Sequence, residues 1–259
     1  MLRIKNKFEL TNKVALVTGA SKGIGASIAR GFAELGAQVV ICSRSQDSID
    51  QVAKSIQDDG FKCEAIQCHV GRDEERQALI KTIIDKYGTI DILVNNVGTN
   101  PYFGPLDKMS PEVYQKTMQI NLESAMVMSN LVYPYMKNEG GSIIHISSIE
   151  GIHPTAMMGA YNMSKSAMIM LGQNQAAEWG KDKIRVNVVC PGLVRTKLSA
   201  ALFANDSILK GIENRIPLNR AAEPDEMAGL VCFLASEAAS YMTGSVIVND
   251  GGLLLSPLF

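Results

Sequence analysis

An excess of charge of either sign is what this 259-residue chain most plainly lacks: 25 Lys and Arg stand against 26 Asp and Glu, a formal net charge of −1. Without a basic excess or a basic stripe, the composition argues against nucleic acid as a partner. No apolar run approaches the roughly 18 residues that a membrane span needs. The opening MLRIKNKFELTNK carries basic residues but neither the apolar core nor the small-residue cleavage site of a signal peptide. Three histidines are too few for a multi-histidine metal site, so no metal is expected. Five scattered cysteines with no C-x-x-C pair (Cys42, Cys63, Cys68, Cys190, Cys232) fit free, buried thiols in a reducing compartment better than a disulfide framework. Linkers rich in Pro, Gly or Ser, blocks of like charge and short repeats are also missing, so nothing marks a domain boundary. The expectation is a cytoplasmic globular protein, its 46% of hydrophobic residues enough for one sizeable core.

Apolar, β-branched runs alternate with longer amphipathic stretches, the pattern of a parallel sheet with crossover helices. Strands are predicted at 14–20 (VALVTGA), in GAQVVICSR ending near Ser43, at 63–70 and 90–96, at 141–148, in KIRVNVVCPG up to Pro191-Gly192, and in SVIVNDGG. Helices are predicted at 24–35, 46–57, 72–87, from Ser110 to about Lys137, at 159–179 and at 224–234. Ser110-Pro-Glu is a helix start, with serine as cap and proline in the first turn. The stretch 193–223 has no clear strand and is expected to form a mobile, partly helical substrate flap. The economical reading is one doubly wound α/β domain over 1–259, with about seven strands and helices on both faces. Its ligand belongs at the carboxyl ends of the strands, where the winding reverses.

The first strand runs into Thr18-Gly19-Ala20-Ser21-Lys22-Gly23-Ile24-Gly25 and then a helix. Such a turn lets backbone N–H groups and the helix N-terminus face a pyrophosphate, and glycine removes the Cβ atoms that would block close approach. Glycines at 19, 23 and 25 depart from the G-x-G-x-x-G spacing, so the motif alone also fits an empty strand-to-helix turn. An NAD site usually places a carboxylate at the end of the second strand for the ribose 2′-hydroxyl. Here Cys42-Ser43-Arg44 stands there, with no acid before Asp47. A guanidinium grips a 2′-phosphate through two charge-assisted hydrogen bonds, and Lys22 adds a second cation, so NADP (NADPH) is the expected cofactor.

Tyr161 and Lys165, four residues apart in the predicted helix at 159–179, share one of its faces. A nearby ammonium favours the phenolate and is expected to lower the pKa of the phenol toward the range of efficient proton exchange. Ser148, at the carboxyl end of a predicted strand, is placed to donate to a substrate oxygen whose charge changes.

TGASKGIG at 18–25, NNVG at 95–98, INL at 120–122, ISS ending at Ser148, YNMSK at 161–165 and PG at 191–192 occur in this order. Through them the chain resembles the short-chain dehydrogenase/reductase family over residues 10–252. The resemblance implies a Rossmann-type fold and hydride transfer between NAD(P) and a carbonyl or alcohol. It implies that Tyr161 is the general acid/base, that Lys165 lowers its pKa and holds the nicotinamide ribose, and that Ser148 orients the substrate oxygen. Asn121, within a predicted helix, is implied to hold a water in a proton relay behind Lys165. The implied cofactor contacts are Gly19, Ser21, Lys22, Gly23, Ile24 and Gly25 in the turn, Ser43 and Arg44 after it, and Asn95 and Gly98 in NNVG. Pro191, Gly192, Val194 and Thr196 complete them on the nicotinamide side. Two departures stand out: His69-Val70 replaces the acid that usually meets the adenine amino group, with adenine contact expected through His69, and Val97 replaces alanine in NNVG.

Segments 100–103 and 150–158 and the flap from Leu198 are candidates to line the substrate pocket. There Tyr102, Phe103, Met157 and Met158 suggest an apolar, adaptable cleft or, equally, packing surfaces. The sequence is most similar to the carbonyl-reductase and 3-oxoacyl-carrier-protein-reductase branches. An acidic carrier protein would be attracted by Arg195, Lys197, Lys210 and Arg215. The resemblance also implies a homotetramer of 222 symmetry through the helices near 111–137 and 159–179. The apolar tail LLLSPLF is expected against a neighbour, and its ending is not an SKL-type peroxisomal address. The leading expectation is NADPH-dependent reduction of a ketone or aldehyde. Two others stay open: an NAD-linked alcohol, sugar or steroid dehydrogenase, and a nucleotide-sensing protein without chemistry, which the presence of both Tyr161 and Lys165 disfavours.

Overall fold

The computed structural model describes residues 3–255. β1 (Val14–Thr18) leads into α1 (Gly23–Glu34), β2 (Gln38–Ser43) into α2 (Gln46–Asp58), β3 (Cys63–Gln67) into α3 (Asp73–Tyr87) and β4 (Ile92–Asn95) into α4 (Pro111–Met118). A π-turn (Gln119–Glu123) joins α4 to α5 (Ser124–Met136), so one long interrupted helix precedes β5 (Gly141–Ile146). α6 (Gly159–Trp179) and β6 (Ile184–Pro191) follow. The excursion at 193–223 is partly helical as expected, with α7 (Ala200–Phe203) and α8 (Asp206–Glu213), and α9 (Asp225–Ala235) then precedes β7 (Val246–Asn249). Side chains of Ser45, Ser110 and Asn205 accept the Ser48, Val113 and Ile208 N–H groups and start α2, α4 and α8. Gly88, left-handed at φ 76, closes α3.

All seven strands are parallel, in the order β3-β2-β1-β4-β5-β6-β7. The winding therefore reverses between β1 and β4, and the crevice outside their carboxyl ends is where a ligand fits. Alternation along each strand sorts the core into two layers. Ala15 and Val17 pack with Ile28 and Phe32 of α1 and Val231 of α9, whereas Val14 and Leu16 pack with Leu79 and Ile83 of α3 and Met128 of α5. Among the described residues no helix is long and apolar enough to cross a membrane, and all five cysteines are buried and free.

Five strands stop short of the predicted bounds: β1 ends at Thr18 rather than 20, β3 at Gln67 rather than 70, β4 at Asn95 rather than 96, β5 at Ile146 rather than 148, and β7 at Asn249 rather than at Gly251-Gly252. At β1 and β5 a residue in excess keeps one interstrand bond, Ala20 N–H to the Cys42 carbonyl at 3.2 Å and Ser147 N–H to the Val189 carbonyl at 2.8 Å, before the chain bends to form the crevice. Gly19 turns to φ 65, and the Cys68 N–H keeps one bond to the Ser43 carbonyl at 2.9 Å before the chain bends away. Of the apolar tail, Leu253–Leu255 form a single 3-10 turn, and the expected docking of 256–259 falls outside the described residues.

Candidate active site

The glycine turn is closed by the residue that follows the neighbouring strand β4. The Asn96 side-chain amide donates to the Thr18 and Gly19 carbonyls, both at 3.1 Å, and the Asn96 N–H donates to the Thr18 hydroxyl at 3.1 Å. Gly19 and Gly23 are left-handed, at φ 65 and 58, where a side chain would be strained. A Cβ on Gly25 would stand 2.5 Å from Asn96 Nδ2 and 2.6 Å from the Gly19 oxygen. The first turn of α1 has no acidic residue, and Lys22 precedes it in extended, exposed backbone. Ser21 and Ile24 are half-buried beside them. Helix N–H groups, a cation and a cradle with no room for Cβ atoms make this a fit for a pyrophosphate.

At the carboxyl end of β2, Ser43 closes the strand and Arg44 is exposed beyond it, its carbonyl accepting from the Gln67 amide at 3.0 Å. His69 is half-buried nearby, and burial, then the charges of Arg72, Lys116 and Arg44, hold its pKa below the usual histidine value. The Gly71 N–H donates to His69 Nδ1 at 3.0 Å, which leaves Nε2 as the ring's N–H donor. His69 thus stands as a neutral donor within reach of Arg44's charge, and Val70 behind it is buried.

Asn95 does not turn toward this crevice. In the alternation of β4, Leu93 and Asn95 face α5 while Val94 faces α1. The Asn95 side chain donates to the Ser129 hydroxyl at 3.1 Å and meets His145 Nδ1 at 3.3 Å, so its adjacent residue, Asn96, is the one that serves the turn. Asn96 was absent from the expected contacts, and the doubled asparagine of NNVG was the signal for it. His145, fully buried, bonds Gln175 through Nε2 at 2.8 Å, and burial together with Lys165's charge pulls its pKa to about 4. An unfolded histidine takes its proton near 6.5 and the folded one near 4. The unfolded chain therefore binds more protons in that window, and stability falls as pH falls through it. Denaturant unfolding at pH 7 and pH 4.5 should show a loss attributable to this residue of on the order of 3 kcal/mol at most. His145→Asn should flatten that loss, and parallel losses in the two proteins would refute the assignment.

Gly98 lies against Lys165, a Cβ there standing 3.4 Å from Nζ. Tyr161 and Lys165 share the buried face of α6, and Nζ lies 5.7 Å from the centre of the tyrosine ring. The ammonium donates to the Ile146 carbonyl at 2.8 Å, and the Ser147 hydroxyl ties the Lys165 carbonyl at 2.7 Å. Ser148, at the end of β5, hydrogen-bonds Tyr161 and accepts the Glu150 N–H at 3.2 Å. The electrostatic expectation needs correction. Burial pushes the Tyr161 phenol up to about 12, against the lowering hydrogen bond with Ser148, and burial also pulls Lys165 down to about 8. Desolvation penalises both charged forms, so among the protein's own groups Lys165 does not make this phenol acidic.

Asn121 sits fully buried in the π-turn, a widened helical turn of the kind that recurs at functional sites. Its Oδ1 accepts from the Thr99 N–H at 2.7 Å, and its amide donates to the Thr99 carbonyl and the Ser164 hydroxyl, both at 2.9 Å. Ser164 in turn donates to the Tyr161 carbonyl at 2.8 Å. Asn121 therefore clamps the loop after β4 to α6 through its side chain, a positioning role that the expected water relay did not include.

On the far side, Pro191 ends β6, and the Gly192 N–H donates to the Asn249 carbonyl at 3.0 Å. Buried Val194 bridges to Ala222, and the Ser199 hydroxyl contacts Thr196. A Cβ on Gly23 would meet Thr196 Cγ2 at 3.4 Å, so the flap begins directly over the glycine turn. Between them lies a cavity of about 460 Å³ lined by Lys22, Arg195, Thr196, Lys197 and Phe203 among others. Arg195 bonds Glu223 at 3.0 Å and lies over the Phe203 ring at 4.2 Å. Among the described residues no three metal-ligating side chains are grouped to hold an ion.

Comparison with known proteins extends over nearly the whole chain. A family model described as enoyl-(acyl carrier protein) reductase matches residues 19–254. Dehydrogenase/reductase SDR family member 4 of Oryctolagus cuniculus is 41% identical over 244 residues, 94% of each chain. The Homo sapiens protein of that name is also 41% identical over 244 residues, 94% of this chain and 88% of its own. A gluconate 5-dehydrogenase from Burkholderia cenocepacia solved with NADP and tartrate superposes with a TM-score of 0.94 at 31% identity, covering 98% of this chain and 100% of that one. A 7α-hydroxysteroid dehydrogenase solved with NADH and 7-oxoglycochenodeoxycholic acid gives 0.91 at 33% identity, covering 97% and 98%.

Proposed function

The chain belongs to the short-chain dehydrogenase/reductase family of oxidoreductases, and from that premise we propose that it reduces a ketone or aldehyde with NADPH, Tyr161 delivering the proton. The observation that carries the reaction is the buried Tyr161 hydroxyl beside Ser148 at the carboxyl edge of the sheet, one helical turn from Lys165. Ser148 holds the carbonyl oxygen, and Tyr161 donates from its phenolic oxygen as negative charge develops there. A phenol held near 12 is protonated at neutral pH, so Tyr161 carries the proton that reduction of a carbonyl needs. NADPH, when bound, supplies the hydride. The glycine turn and the N-terminus of α1 would hold its pyrophosphate, Lys22 and Arg44 its 2′-phosphate, His69 its adenine, and the segment from Pro191 to Thr196 its carboxamide.

The NADP preference rests on the absence of a carboxylate after β2, where Ser43 and Arg44 stand. Arg44→Ala should raise the KM for NADPH by roughly 10- to 100-fold and leave that for NADH nearly unchanged, since a bidentate charged contact is lost from one cofactor alone. Steady-state kinetics with both cofactors decide it: a wild type that prefers NADH, or an unmoved NADPH KM, reverses the assignment. The NADH-bound steroid dehydrogenase among the similar structures favours the second reading, an NAD-linked alcohol, sugar or steroid dehydrogenase, which the same measurement tests. NADPH oxidation against diketones, quinones and 3-oxoacyl esters tests the substrate side, and cofactor binding with no oxidation across that panel would favour a nucleotide sensor. Lys197 and Lys210, exposed along the flap, are the positive charges that an acidic carrier protein would meet. We propose a homotetramer docked through α5 and α6, whose Met126, Tyr135, Met163 and Met170 stand exposed, working in the reducing cytoplasm where its free thiols persist.

A further inference from the structure

Glu150, two residues beyond Ser148, is a carboxylate fixed in place. Its backbone N–H donates to the Ser148 hydroxyl at 3.2 Å, one side-chain oxygen accepts from the Thr155 N–H and the other from the Thr155 hydroxyl, both at 2.9 Å. Thr155 is itself fastened beside the catalytic tyrosine, its carbonyl accepting from the Asn162 amide at 2.8 Å. A ring of hydrogen bonds thus runs from Ser148 through Glu150 and Thr155 to Asn162, the residue next to Tyr161. The turn Ile149–Gly151 that carries Glu150 is seated on α6, because a Cβ on Gly151 would stand 2.7 Å from the Lys165 carbonyl. The carboxylate is close enough for its charge to push the Tyr161 phenol upward. Ser148 and Thr155, the partners that hold it, carry no charge to offset its own.

A fixed negative charge beside the group that receives the carbonyl oxygen acts on a substrate before any chemistry does. An uncharged ketone or aldehyde binds there without charge repulsion. A carbonyl compound with a carboxylate or phosphate one or two bonds from the reacting carbon brings a second negative charge into the field that already acts on Tyr161. We infer that Glu150 is a specificity-determining residue that admits uncharged carbonyl compounds and turns away those with an anionic group adjoining the reacting carbonyl. Repulsion between two like charges that are both partly solvated corresponds to about a tenfold discrimination. The inference rests on carbonyl reduction at Tyr161.

The test uses two probes of nearly equal shape, 2,3-pentanedione and 2-oxobutanoate, in which a methyl group is exchanged for a carboxylate oxygen. The ratio of kcat/KM for the neutral over the anionic probe is measured with NADPH in wild type and in Glu150→Gln, which keeps an oxygen for Thr155 but removes the charge. Where a probe is not turned over, it is assayed as a competitive inhibitor and the ratio is taken from inhibition constants. Wild type should prefer the neutral probe, and Glu150→Gln should shrink that preference about tenfold. A purely structural role for Glu150 would lower both values together, so an unchanged ratio overturns the charge discrimination while leaving carbonyl reduction intact. Failure of the wild type to oxidise NADPH with any carbonyl compound overturns the reductase reading itself and this inference with it.

Discussion

Tyr161→Phe should lower carbonyl turnover by about 10³-fold while NADPH affinity stays within a few-fold, because general acid catalysis by a positioned group is worth roughly that much. The substitution removes one oxygen atom and keeps the ring that fills the buried face of α6. Ser148 still accepts the Glu150 N–H, but its own hydroxyl proton loses the Tyr161 oxygen, so the fold should weaken by no more than about 1–3 kcal/mol, the cost of one unmade buried hydrogen bond. Unfolding curves and cofactor titration on the same preparation separate lost chemistry from lost structure. Substantial residual turnover would move the acid to another residue. The perturbed ionisation adds a direction: with the phenol held near 12, carbonyl reduction should persist across neutral pH, whereas alcohol oxidation, which needs the phenolate as base, should rise toward alkaline pH.

Gly25→Ala should weaken cofactor binding by roughly 100-fold and destabilise the fold by about 1–3 kcal/mol, the range for overpacking a filled site. The added methyl group would stand 2.5 Å from the Asn96 amide nitrogen and 2.6 Å from the Gly19 oxygen, and backbone cannot give way as a side chain can. Relief requires pushing the Asn96 amide off the Thr18 and Gly19 carbonyls, which opens the turn that faces the pyrophosphate. Gly229→Ala in α9 is the control, since a Cβ there meets nothing within 4 Å and alanine is the better helix former. Equal cofactor affinity in both variants would show that the turn is not the cradle.

The elements themselves were largely legible, for a reason visible in β1 and α6. Buried parallel strands read as unbroken apolar runs, and Gly159–Trp179 was bounded correctly, with Gly180 following at its carboxyl end. The errors gather at the carboxyl ends of the strands, β1, β3, β4, β5 and β7 alike. Several residues there, such as Ala20, Cys68, Ser147 and Ser148, are as buried as the strands they extend, and only their hydrogen-bond partners show where the chain bends out of the ladder. The exchange of Asn95 for Asn96 has a similar origin: two asparagines in a row give no hint of which one the pleat turns toward the core.

Order and spacing along the chain were therefore enough to specify the parallel α/β fold, the family, and the presence of Tyr161 and Lys165 on one helical face, because these follow from local periodicity and nearest-neighbour geometry. Quantities that depend on what surrounds a group in three dimensions had to wait for the fold. Whether Lys165 acidifies Tyr161 depends on how far both are desolvated, and burial moves the tyrosine up and the lysine down. The clamp made by Asn121 likewise joins residues from separate segments. Dielectric environment and long-range contact are properties of the packed molecule, and no one-dimensional spacing contains them.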